Sequence, residues 1–402
     1  MSTTSAPDHG SWRRSLAPRA AGVVYAFIAL VAILTITSSV QGRPSYLSSV
    51  NLSNILDQSA LIAILATFMT TVLISGNFDL SVASTAALAG TVALKMIDDY
   101  GPVIGTLAAL ITGALVGLLN GVLVQKVGVN AFIVTLGTLT AVRGVVQAIL
   151  DGQSITASDT TLMDIATARW QMPIVVAVVL GVLLLAGAGW LIRWAPHRGA
   201  AVRSTAGLWA SGLALLLLAL FRPLMLEQTA PVWIMLVLAV LTALTLRYTV
   251  IGRNLYAVGG NAEAARLSGI DVDRYRMVAF VVNGTVAALV GVLYAGRFNS
   301  VDPTVLTGGE LTVIAAAVLG GTSLFGGSGF VTKSVVGTLI LFTLSNGFNV
   351  LNIGSNYQNV VQGTVLVAAA SLYTATSGRE RRKLRQALRK EKPPAPAELV
   401  RQ

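Results

Sequence analysis

The chain offers few groups able to make or break bonds. It has two histidines, His9 and His197, and no cysteine. Neither histidine lies near a carboxylate pair at metal-ligand spacing, and no Ser/His/Asp set can be assembled. The nearest approach to a phosphate loop is Gly326-Gly-Ser-Gly-Phe-Val-Thr-Lys333-Ser334. A P-loop carries Gly directly before its Lys, where Thr332 stands here. The expectation is therefore no catalytic residue, no metal, no cofactor bound by this chain and no ATP hydrolysis of its own. Uphill work would draw on a partner or an ion gradient.

What the chain does carry is polar residues set singly in apolar surroundings. Arg143 falls within the apolar run 131–150, where an ionisable group costs at least about 2.5–3.5 kcal/mol at mid-span. It either lines a polar pathway or gate, or snorkels outward or bonds backbone carbonyls of a neighbour. Glu310 follows Gly308-Gly309 at the end of a span. There it is either stabilised by a helix dipole or faces a pathway mouth or docked protein. Asp79, in Gly76-Asn77-Phe78-Asp79, precedes a small-residue helix and can cap it. Asn283, Asn346 and Gln362 sit within spans and can bond across helices. Asn77, Asp79, Thr135, Arg143, Asn283, Glu310 and Asn346 form the candidate substrate pathway.

One polar loop differs from all others: Gly252-Arg-Asn-Leu-Tyr-Ala-Val-Gly-Gly260-Asn261-Ala-Glu263-Ala264-Ala265-Arg266-Leu-Ser268-Gly269, continuing to Arg276. Asn261 suits an N-cap, Ala262 to Leu267 are good helix formers, and Gly269 is a stop. Glu263 near the start and Arg266 near the end suit the helix dipole. A helix of about two turns is unstable alone and needs a docking surface. The turn Gly320–Gly329 permits sharp paths between helices, as a tight connection or as a mobile gate.

These residues need a scaffold, and composition says which. Of the 402 residues, 54% are apolar and only 11% charged, with 39 glycines and a net charge of +11. A soluble surface of this size needs about 25% charged residues. Disorder and a disulfide scaffold are excluded by the same figures. The expected fold is an all-α polytopic transmembrane bundle. Apolar stretches fall at about 21–39, 57–75, 80–97, 102–124, 131–150, 173–192, 205–225, 231–247, 276–296, 308–322, 329–350 and 357–377, which gives about twelve spans. With the N-terminus inside, 22 Lys and Arg lie on the inner side and five on the outer, with Arg143 within a span. Both termini are then cytoplasmic. Residues 1–20 form an inner segment and 21–377 the membrane domain. Residues 378–402 form a basic inner tail, an orientation anchor suited to anionic lipid headgroups. The first span reads as a retained helix, since no small-x-small cleavage site follows it. The basic excess is not a nucleic-acid signal.

The loop carries a specific resemblance. Tyr256-Ala-Val-Gly-Gly-Asn-Ala-Glu-Ala-Ala-Arg-Leu-Ser-Gly269 resembles the coupling segment of ATP-binding-cassette sugar importer permeases of the ribose/xylose/arabinose group, and of xylose-type permeases in particular. Phe132-Ile-Val-Thr-Leu-Gly137-Thr-Leu-Thr-Ala-Val-Arg143-Gly144, Phe78-Asp79-Leu80-Ser81-Val82 and Glu310-Leu311…Gly326-Gly327 are similar to further blocks of that group. Departures are Ala83 where the family usually has Gly, and Thr312-Val313 where it usually has Asp-Ala. Extra apolar material around 173–230 also resembles the xylose-type members. The resemblance implies a two-copy permease in the bacterial inner membrane and a cytoplasmic ATPase using ATP and Mg. It also implies an extracytoplasmic sugar-binding protein and alternating access for a pentose. On this reading Gly260, Asn261, Glu263, Ala264, Ala265, Arg266, Ser268 and Gly269 couple to the ATPase. Several monosaccharides, a nucleoside or an autoinducer remain alternative cargoes. An ion-driven transporter would bury carboxylates midway through spans, and no convincing one stands there.

Overall fold

A computed structural model describes residues 18–194 and 198–352, with a few isolated positions between 357 and 367. His9, His197, Gln362, most of the N-terminal segment, most of the span expected at 357–377 and the tail 378–402 lie outside the described residues. The chain divides into two compact units between Ile353 and Gly354, and the first holds every element below.

The helices are α1 Pro18–Val40, α2 Ser49–Ile74, α3 Val82–Val122, α4 Ala131–Leu150, α5 Thr161–Thr167, α6 Ile174–Trp194, α7 Arg198–Phe221, α8 Ala230–Tyr248, α9 Val250–Gly260, α10 Ala262–Leu267, α11 Val272–Phe298, α12 Gly309–Leu319 and α13 Val331–Val350. Seven helical stretches are long and apolar enough to cross a membrane, among the described residues. Five differences separate this figure from the twelve stretches expected: 357–377 lies mostly outside the described residues, 173–192 and 205–225 count only as the shorter apolar runs Ile174–Trp190 and Ser211–Phe221, and the other two lie in α3 and α12. The runs 80–97 and 102–124 are two helices that follow each other without a loop inside α3, broken at Gly101, whose φ of 82° and ψ of 167° leave the helical region just before Pro102; they are counted together in the seven. The run 308–322 yields only the 11 residues of α12, closed between left-handed Gly308 and Gly321. At 1.5 Å per residue that is about 16 Å, half a hydrocarbon core. The chain continues in a glycine-rich turn whose backbone is satisfied internally: Thr322 N–H donates to Ala317 O, Ser323 N–H to Ser328 O and Gly327 N–H to Ile74 O. Irregular backbone at membrane depth requires such partners.

The all-α expectation needs one correction. Among the described residues, four strands of two or three residues pair antiparallel as two ribbons, β1 Ile155–Thr156 with β4 Ser300–Val301 and β2 Arg169–Gln171 with β3 Glu227–Thr229. They tie together the connections at one end of the bundle, the ribbon end. The opposite end carries α10.

α2 is the centre of the unit, with 78% of its apolar window buried, against 11% for α1. Around it stand α8, α11, α12 and α13. The most extensive packing is between α3 and α11, and it is made of glycines. A Cβ on Gly284 would overlap the Gly113 carbonyl, and one on Gly291 would overlap the Ala86 carbonyl. Lipid tails give helices no apolar reason to associate, so close backbone approach and dispersion hold them.

Candidate functional site

Three groups of polar residues lie at the α10 end. The first is α10 itself. Asn261 Oδ1 accepts the Ala264 N–H at 3.0 Å, and the chain leaves through Gly269, at φ 81°, with Gly269 N–H donating to Arg266 O and Ile270 N–H to Ala265 O. Ala265 is buried against Val258 and Val272. Its burial turns Glu263, Ala264, Arg266 and Ser268 outward, and leaves Leu267 85% exposed. Arg266 pairs with Asp273 at 2.7 Å, and Lys126, in the turn Leu123–Val127 that follows α3, stands 3.9 Å from the same carboxylate. These pairs are largely solvated, so they orient α10 more than they stabilise it.

The second is a buried hydrogen-bonded chain across four elements. Asp79 Oδ1 accepts from the Ser81 N–H and hydroxyl at 3.0 and 2.6 Å, and its Oδ2 accepts from Asn283 Nδ2 at 2.9 Å. Asn120 Nδ2 donates to Ser81 Oγ at 2.9 Å, and Thr138 donates to Asn120 Oδ1 at 2.7 Å. Asp79, Ser81, Asn120 and Asn283 are all at most 1% exposed. Asp79 is thus not the expected cap, since Ser81 holds the N-cap position of α3 without a side-chain cap bond: Asp79 joins the turn after α2 to α11, while Asn120 extends the chain to α3 and α4. Burial pushes the Asp79 carboxyl up from its ordinary value, against the lowering effect of its hydrogen bonds from Ser81 and Asn283. The interior thus holds a buried acid where the sequence suggested few. Asn120 went unrecognised, although an amide among Leu118, Leu119 and Gly121 is the same signal that singled out Asn283.

The third is the turn 320–330, held between α2 and α9. Gly326 approaches the Gly76 backbone so closely that a Cβ would lie 2.8 Å from Gly76 Cα. Tyr256 donates to Gly329 O at 2.8 Å. The turn thus touches the end of α2, the Asn77 turn and the helix preceding α10.

The remaining candidates lie outside these three groups. Arg143 donates to the carbonyls of Val305 at 2.7 Å and Pro303 at 3.4 Å, the structural bond to a neighbouring backbone. Glu310, half-buried in the first turn of α12, is close enough to act on Arg143 through its charge. Asn346 donates to Asn51 Oδ1 at 3.0 Å, joining α13 to α2. Thr135 is buried and bonds its own helix at Ala131 O. An ion pair escaped notice in the sequence: Asp57 and Arg297 meet at 2.6 Å, with Thr229 donating to Asp57 and Arg297 to the Asp57 carbonyl. Their separation of 240 positions leaves no local signal. No group of three or more His, Cys, Asp or Glu able to hold a metal exists among the described residues.

Comparison with known proteins places this arrangement. Residues 51–370 match the family model described as branched-chain amino acid transport system / permease component. The chain is 34% identical to the ribose import permease protein RbsC of Escherichia coli K12 over 343 residues, 85% of this chain and 90% of the relative. It is 34% identical to the xylose transport system permease protein XylH of the same organism over 367 residues, 89% and 92% of the two chains. The ribose permease of Haemophilus influenzae is 33% identical over 344 residues, 85% of this chain and 90% of that one. Identity thus does not set the xylose relative above the ribose one. No solved structure matches. With four-fifths of its length inside the family model, the chain belongs to the permease-component family of branched-chain amino acid transport systems.

Proposed function

We propose that this chain is the membrane-spanning permease subunit of an ATP-driven importer for a pentose, working in the bacterial inner membrane. It has no ATPase site of its own; hydrolysis of ATP with Mg belongs to a cytoplasmic partner. A second copy of the chain completes the permease, and an extracytoplasmic protein delivers the sugar. Lipid surrounds the bundle, and nucleic acid is no partner. Twelve spans with both termini inside agree with the charge distribution. They also agree with the alternation of ends: α2 begins at the ribbon end and stops at the α10 end.

The single observation that carries this reading is α10: a capped, two-turn helix displaying Glu263, Arg266 and an exposed Leu267 to whatever docks beneath it. A free apolar residue of this size on a short polar helix suits a partner's groove. Its motion has a route inward. Arg266 holds Asp273 in the first turn of α11, and ten residues on, about 15 Å along the axis, Asn283 holds Asp79. ATP binding that shifts α10 therefore shifts the turn that α2, α3 and α11 share, and alternating access follows from the partner's different grip in its two states. The two relatives named for ribose and xylose agree with a pentose equally well.

The test is to reconstitute the chain with its ATPase and binding protein in vesicles. Glu263→Ala combined with Arg266→Ala is expected to insert normally, yet to uncouple ATP hydrolysis from pentose uptake. Uptake at the wild-type rate would end the coupling assignment.

A further inference from the structure

An open cavity of about 480 Å³ lies between the turn after α2, the segment that follows α3 and the starts of α4 and α11. Its volume is that of a small-molecule site, roughly 300–1,000 Å³. Asn77, Phe78, Gln125, Asn130, Phe132 and Arg276 supply the side chains that define it, and its lining includes no acid. Asn77 is only 5% exposed; its Nδ2 reaches Ser75 Oγ at 3.3 Å, and its Oδ1 accepts from no described residue. Arg276 uses Nε on Ser75 O at 3.1 Å, leaving its two terminal nitrogens without acceptors among the described residues. Asn130 spends Oδ1 on the Phe132 N–H at 2.9 Å, which leaves its Nδ2 to donate.

The cavity thus presents a free acceptor at Asn77, free donors at Arg276 and Asn130, an amide of both kinds at Gln125, and two aromatic rings. A hydroxyl both donates and accepts, so a neutral polyol matches this set. An anion would leave Asn77 Oδ1 unpaired, and a cation would meet no carboxylate. We propose that the cavity is a subsite that holds one monosaccharide on the α10 side before release. The proposal rests on the transport reading above and names residues beyond it.

The test has two arms. Wild-type permease in nanodiscs, without the binding protein, is titrated with D-ribose, D-xylose and D-ribose 5-phosphate by saturation-transfer NMR. Binding of a free pentose in about the millimolar range is expected. Arg276→Gln should weaken it about tenfold, the loss of one charge-assisted hydrogen bond. Gln125→Leu, which leaves the Ser75 tie intact, should weaken it severalfold. The second arm measures pentose uptake by the complete assembly, where both variants should slow uptake at an unchanged amount of inserted protein. No binding by the wild type, binding of the phosphate ester alone, or unaltered binding in both variants overturns the cavity assignment. An assembly that moves no pentose at all overturns the transport reading instead.

Discussion

Removing Asn283 probes the buried chain most directly. Asn283→Leu keeps the volume roughly constant and deletes the donor 2.9 Å from Asp79 Oδ2. A hydrogen bond to a charged group is worth about 1.5–3 kcal/mol, and the lower end applies because Ser81 still gives Asp79 two donors. Against this, Asn283 Oδ1 is already buried without a partner, and removing it relieves about 1 kcal/mol. The net loss is then about 0.5 kcal/mol. Asp79→Ala strips three donors of their acceptor and should cost about 3 kcal/mol. In the double variant the shared bond is counted once, so the pair should couple by about 1–2 kcal/mol. Reversible unfolding of the purified chain in mixed detergent, titrated with dodecyl sulfate, measures all four corners of the cycle. Strict additivity within about 0.5 kcal/mol would refute the bond between the turn and α11. The same set tests pH. Because burial raises the folded carboxyl above its ordinary value, the fold binds this proton more tightly than the unfolded chain does. Wild type should therefore gain stability relative to Asp79→Asn as pH falls towards the ordinary carboxylate range, and lose that gain as pH rises through the folded value.

Other outcomes follow from the packing. Gly284→Val places a side chain onto the Gly113 carbonyl, and overpacking costs typically about 1–3 kcal/mol or more. Its amount in membranes should fall sharply, while Gly260→Ala, with nothing within 4 Å of the new Cβ, should leave that amount unchanged in immunoblots. Arg297→Gln removes the partner of a four-fifths-buried Asp57 and should cost about 2 kcal/mol, less than the roughly 3–5 kcal/mol of a fully buried pair; thermal unfolding in detergent reads it. Leu267→Asp, on a side chain that touches solvent, should leave thermal stability within about 0.5 kcal/mol yet weaken co-purification with the ATPase partner. A variant that binds the partner like wild type would remove Leu267 from the docking surface.

How far the sequence reaches depends on the range of each interaction. The α10 segment was legible because its signals are local: Asn261 caps three residues on, Gly269 supplies the positive φ, and both act within two turns. The break at Gly101-Pro102 is equally local: hydropathy separates two spans there, and the non-helical backbone of Gly101 separates two helices at the same point. Asp79 and Asn283 stood out singly as polar groups in greasy surroundings, but nothing marked them as partners across 204 positions. The pairing of Asp57 with Arg297 was invisible for the same reason.

The membrane class, the chain's lack of chemistry and the shape of α10 are thus properties of the sequence itself, because apolar length, residue inventory and capping need no distant partner. Which polar groups meet was decided by tertiary structure alone. Helices in lipid align by backbone proximity at glycines such as Gly113, Gly284 and Gly291, and only that alignment brings Asp79 to Asn283 and opens the cavity beside Arg276.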